Sequence, residues 1–223
     1  MRRWIGLVVV SAAMFAALIS PRTAGAATFP DGTGTITVPT GWHIASAYRG
    51  SVDLRSTTGA AVVLGLPYTI IDANSNLVGL AGSASTPIAL PGDIGTALRQ
   101  VIVKTNGELT NLRARTAPPS FPGVPAFYIY YQFTAEGKAF TAIGYFTAIT
   151  YPNTDFWQLY SSAIVSPTPI FAKTATTMTK MWASWRPNGN APSAGSEGAE
   201  VDKLIRASNS RMDKIQEQFR QQL

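Results

Sequence analysis

His43 is the only histidine in the chain, and it stands directly after a Pro39-Thr40-Gly41 turn and Trp42. A histidine becomes a general base towards a hydroxyl when a carboxylate orients it, and Ser46, Ser51 and Asp53 lie close by in sequence. Closeness in sequence is not geometry, and no Gly-x-Ser-x-Gly elbow is present. A hydrolase using His43 therefore stands as an alternative, and no residue is assigned as catalytic. Metal chemistry has less to draw on: with no cysteine, one histidine and dispersed carboxylates, neither a zinc pattern nor an EF-hand spacing occurs. No metal and no cofactor is expected. Gly79-Leu80-Ala81-Gly82-Ser83 has the glycines of a phosphate cradle without its lysine, and reads as a surface loop.

Binding chemistry is better represented. Phe127, Ile129, Tyr131 and Phe133 alternate with Tyr128 and Tyr130, so a strand here carries aromatics on both faces, as does the next strand with Phe140 and Phe146. The first set reads as core-facing. The Tyr128 and Tyr130 face is either covered by other chain or presents a surface for a small hydrophobic ligand, tyrosine suiting both roles. Arg113 and Arg115 share one strand face, with Arg99 and Lys104 on the preceding helix. Together they are either a solvated face or a site for an anion. The tentative ligand-binding set is thus Tyr128, Tyr130, Arg113 and Arg115.

A third feature is the charged tail. Val201, Ile205, Met212, Ile215 and Phe219, with polar Ser208 and Gln222 at intervening seam positions, recur at spacings of four and three, an amphipathic helix over about three heptads. Such a helix is marginal alone and needs cover for its apolar stripe. Self-association, docking on an envelope protein and packing on its own domain all stay open. The pattern runs to Leu223 without a glycine or proline stop, which leaves a longer helix as a further alternative.

These features need a scaffold, and the chain supplies one in pieces. Arg2-Arg3, the apolar run from Trp4 to Ile19 and the small residues before Ala27 form a secretory signal peptide, residues 1–26, cut after Ala26. The run is shorter than the ~20 residues that span a bilayer, so no stable membrane span is expected after cleavage, although a retained anchor is the rival. Export of this kind implies a periplasmic or secreted protein. Removing Arg2, Arg3 and Arg22 lowers the formal charge from +6 to +3, and the remaining Lys and Arg form no run, which argues against nucleic acid as a partner. Without cysteines, a domain of residues 27–186 must hold by its core alone. Residues 187–195 are turn formers and small residues, a flexible linker, and residues 196–223 are the helical tail.

Within the domain, Gly34–Val38 reads as a strand, and Val52 to Leu64 as a hairpin turning at Ser56–Gly59. Residues 74–91 read as a long loop. Asp93 caps a helix bearing Ile94, Leu98, Val101 and Ile102. An antiparallel meander runs from Phe127 to Val165, and Thr168 with Pro169 opens a helix whose stripe includes Phe171, Met178, Met181, Trp182 and Trp185. The expected class is α+β: an antiparallel sheet with helices packed on one face, plus the C-terminal amphipathic helix.

Thr35-Ile36-Thr37-Val38-Pro39-Thr40-Gly41-Trp42, the hairpin from Gly50 to Gly65, and the late meander with a helix ending at Ser184-Trp185 together resemble the PsbP/DcrB-like family of small exported domains. The likeness is of pattern and spacing over about residues 30–186. It implies an exported accessory or binding protein of the cell envelope with no shared catalytic centre, so no site residue carries over.

Overall fold

The computed structural model describes residues 25–78, 86–104, 107–119 and 123–188. Its centre is the meander that alternation predicts: β8 (Ala126–Ala135), β9 (Lys138–Thr150) and β10 (Phe156–Pro167) are antiparallel neighbours. Glu136 and Gly137, both at positive φ, turn the first hairpin. Around this centre an eight-stranded sheet is built from β3 (Trp42–Tyr48), β4 (Ser51–Ser56), β5 (Ala61–Asp72) and β7 (Gly107–Thr116), in the order β3-β4-β5-β10-β9-β8-β7. Its remaining strand, β6 (Ile88–Ala89), adds to β5 in parallel. A second sheet of β1 (Gly25–Thr28), β2 (Gly34–Val38) and β11 (Arg186–Pro187) has the order β1-β2-β11.

Two helices complete the fold. In α1 (Ile94–Lys104), Asp93 Oδ1 accepts from the Thr96 amide at 3.0 Å, the expected N-cap. In α2 (Phe171–Ser184), the preceding residues Thr168–Ile170 form a 3-10 turn around Pro169. Thr168 is not the cap: its hydroxyl lies 3.0 Å from that of Thr141, and no side chain caps the helix. No helix of the described residues is long and apolar enough to cross a membrane.

The α+β class holds, and the layering differs from the expectation. α2 packs Phe171, Ala175, Met178, Met181 and Trp182 with Tyr128, Ile143, Tyr145 and Ile164. α1 packs Ile94, Ala97, Leu98 and Ile102 with Ile129, Tyr131, Phe146 and Leu159. Tyr128 and Ile129 are successive residues of one strand and point to opposite faces. The helices therefore lie on the two opposite faces of the large sheet. Both faces are apolar because each has its own helix to bury against it.

Three further details depart from the sequence reading. The expected loop of 74–91 contains a 3-10 turn (Asn76–Val78) and β6, pinned where Trp157 Nε1 donates to the Ala89 carbonyl at 3.2 Å. The strand β1 begins at Gly25, ahead of the expected cut, pairing Gly25 with Val38 and Ala26 with Thr37. Pro187 pairs with Gly34, and the Asn188 amide donates to the Thr33 carbonyl at 2.7 Å, so the chain stays attached to the domain into the expected linker. The tail set of Val201, Ile205, Met212, Ile215 and Phe219 lies outside the described residues, as does most of the signal segment.

Candidate functional site

The large sheet has a shallow place on its α1 face, and the sequence explains why. Register carries one row across the strands from Asp53 through Val63, Ala163 and Gly144 to Ile129, and the next from Arg55 through Ala61, Val165 and Ala142 to Tyr131. The middle of both rows is Ala, Gly and Val, so the floor is low. Tyr131, Phe133, Phe140 and Phe146 stand along one side as an aromatic wall. Phe133 stacks on Phe140 with centroids 5.2 Å apart, and Tyr131 on Phe133 at 6.0 Å. Leu98, Val101 and Ile102 of α1 overhang the floor. The result is a cleft of about 120 Å³, open to solvent and lined mostly by carbon.

Its polar groups come from a bulge. Between Ser161 and Ala163 of β10 the partner on β5 slips from Leu66 to Val63. Gly65 sits at this slip with φ of +68°, the left-handed conformation glycine adopts without a Cβ penalty. Strict alternation from Ala61 and Val63 would bring Gly65, Pro67 and Thr69 to the α1 face. The extra residue instead turns Leu66, Tyr68 and Ile70 onto it, and Tyr68 enters the cleft beside Ser161. The ring of Trp185 fills the space behind Gly65, 2.8 Å from where a Cβ would stand.

Electrostatically the cleft is neutral. Arg55 Nη2 donates to Asp53 Oδ2 at 2.8 Å and its Nε lies 2.8 Å from Oδ1, an ion pair that cancels the charge at one end. Burial, then the Asp53 charge, pushes the Tyr68 phenol up to about 12, and burial followed by the neighbouring Tyr68 raises Tyr131 still further. Both phenols keep their protons at any physiological pH. Tyr131 is only 6% exposed.

The expected residues fall in other places. His43, Ser46 and Asp53 do share a sheet face, since His43 is opposite Arg55 and Ser46 opposite Asp53. They are not joined into a relay: the Asp53 carboxylate is held by Arg55, and the Ser51 hydroxyl donates to the Gly65 carbonyl at 2.6 Å. The structure does bring Tyr128, Tyr130, Arg113 and Arg115 together, as cross-strand neighbours on the α2 face. There Arg115 lies over the Tyr128 ring at 5.6 Å. Tyr128 itself is 5% exposed and belongs to the core beneath α2, and Tyr130 packs against the same core. That face is covered by other chain, namely α2 and the N-terminal strand β2. Arg99 and Lys104 do not join the pair, because α1 lies across the other face. Among the described residues no group of three metal-ligating side chains comes together.

No family model matches the chain, and no curated protein sequence matches it. Among solved structures it is similar to the solution structure of cyanobacterial PsbP (CyanoP) from Synechocystis sp. PCC 6803, at 13% identity and a TM-score of 0.38 over 78% of this chain and 97% of that one. It is also similar to the Ran-binding protein Mog1p of Saccharomyces cerevisiae, at 11% identity and a TM-score of 0.34 over 75% of this chain and 96% of that one. At these values neither likeness carries an argument about family, ligand or partner.

Proposed function

We propose that this protein is an exported, non-catalytic binding module that holds a small apolar molecule between α1 and the aromatic face of its large sheet. The cleft carries this reading. It has a floor of small residues, a wall of four aromatics and an aliphatic overhang, with no free charge along it. An apolar cavity of about 150 Å³ holds a benzene ring, so the volume here suits a body of that size with room towards solvent. The signal-peptide pattern of residues 1–26 supports a periplasmic or secreted setting.

Titration with ethylbenzene, followed through the methyl resonances of Val63, Leu98, Val101, Ile102 and Val165, tests the reading. These methyls are expected to shift together and saturably, and Val101→Trp, which fills the cleft from above, is expected to abolish the shifts. Equal shifts in both proteins, or shifts confined to methyls beneath α2, would overturn it. The competing location, the patch of Arg113, Arg115, Tyr128 and Tyr130, would be reported by the Tyr130 ring resonances in the same spectra.

A second reading rests on the tail. The a/d stripe from Val201 to Phe219 favours a docking role for residues 196–223, towards a second copy or an envelope protein. Light scattering of residues 27–223 beside residues 27–190 tests it, self-association being expected only in the longer chain.

A further inference from the structure

Tyr131 is the residue of the cleft whose chemistry is unused. Its ring is engaged on both sides, stacked on Phe133 and edge-on to Phe146 at 6.1 Å. Its hydroxyl has no hydrogen-bonding partner among the described residues, although the residue is more than nine-tenths buried and lines the cleft. Phenol hydroxyls in such positions ordinarily find a partner; this one is not among the buried polar atoms left unpaired and opens onto the cleft, where water or a bound molecule supplies one. Nearby polar groups do not supply it: Ser161 Oγ donates to the Leu66 carbonyl at 3.3 Å, and Asp53 is held by Arg55.

From this geometry we infer that the cleft selects an uncharged, ring-sized molecule bearing a carbonyl oxygen, and that the Tyr131 hydroxyl donates a hydrogen bond to that oxygen. The inference rests on the cleft being the binding site and adds what it recognises. A carbonyl oxygen presents two acceptor lone pairs and no proton, the complement of an unused O–H. A carboxylate would also accept, but it would be buried beside a guanidinium already neutralised by Asp53, with no second cation lining the cleft. An ammonium finds no free carboxylate either. The aromatic wall and the size of the cleft limit the apolar body to about one ring.

Acetophenone and ethylbenzene differ by a carbonyl at nearly constant shape and separate the two levels of the argument. Wild-type protein is expected to bind acetophenone about five- to tenfold more tightly than ethylbenzene, the net worth of one hydrogen bond. Tyr131→Phe keeps the ring and the cleft. It is expected to erase that preference while leaving ethylbenzene affinity unchanged, and the infrared carbonyl stretch of bound acetophenone should return to its value in an apolar solvent. Equal affinity of wild type for both probes, or a preference that survives in Tyr131→Phe, would overturn the role given to Tyr131 and leave the cleft reading standing. Failure of both probes to bind would overturn both. Because the hydroxyl has no partner in the protein, Tyr131→Phe is expected to unfold at the same temperature as wild type or higher, so a loss of the fold would also count against the assignment.

Discussion

Gly65→Ala is the substitution that most strains the scaffold of the cleft. Two costs add at this position. The backbone stands at φ of +68°, where a Cβ crowds the following carbonyl at a cost of about 1–2 kcal/mol. The new methyl would also lie 2.8 and 2.9 Å from two atoms of the Trp185 ring. That ring cannot swing away freely, because Trp185 is 1% exposed and its Nε1 donates to the Gly50 carbonyl at 2.9 Å. Overpacking against a fixed core side chain adds about 1–3 kcal/mol. The sum, about 2–5 kcal/mol, corresponds to a fall in Tm of roughly 4–20 °C for a domain of this size. Gly137→Ala is the matched control, since Gly137 has φ of +73° and open space where its Cβ would be. Thermal unfolding followed by circular dichroism should place Gly137→Ala between wild type and Gly65→Ala. If the two variants unfold together, Trp185 does not brace the bulge. If Gly65→Ala unfolds with wild type, the bulge does not depend on glycine and the account of how Tyr68 reaches the cleft is wrong.

Other consequences follow from single contacts. Gly144→Ala would set a methyl 2.6 Å from the Phe146 ring and 2.9 Å from both the Ala163 Cβ and the Ser162 carbonyl, so urea unfolding should show a loss of about 1–3 kcal/mol. Trp185→Phe leaves the Gly50 carbonyl without its donor in a buried site and is expected to cost about 1–3 kcal/mol by the same assay. Asp31 accepts from the Thr33 hydroxyl and amide and from the Arg49 amide, which hold its carboxyl below the ordinary 3.8. A depressed carboxyl contributes stability that is present above the unfolded value and lost as pH falls through the folded one. The stability difference between wild type and Asp31→Asn should therefore be largest above about pH 3.8 and shrink below it, and acid titrations in which the difference stays constant would contradict this.

Periodicity made much of this fold legible. Alternating aromatics drew the meander, Asp93 marked the start of α1, and the stripe from Phe171 to Trp185 drew α2. What alternation could not show is which helix each face meets. Tyr128 and Tyr131 look alike in sequence, yet Tyr128 is buried beneath α2 and Tyr131 stands in the wall of the cleft, because α1 and α2 took opposite faces. The β5 bulge was hidden for a related reason. A left-handed glycine between Leu64 and Leu66 looks like any other glycine in a strand, and it reverses the facing of every residue after it. Gly65 followed by Pro67 inside an apolar run was the available signal. β6 leaves no mark in the sequence because two residues hydrogen-bonded to a distant strand have no period of their own. The cleft is likewise a product of register, since Ala61 of β5, Ala142 and Gly144 of β9, and Ala163 of β10 come together only once the three strands pair.

The most direct measurement of the central claim is a crystal structure of the protein equilibrated with ethylbenzene or pressurised with xenon. Xenon occupies apolar cavities without needing polar contacts. Electron density is expected between Val101 and Phe140, over the floor of Ala61, Val63 and Ala163, with the rings of Phe133 and Phe140 in place. Density confined to other sites, or a cleft closed by the movement of those rings onto Val165, would contradict it.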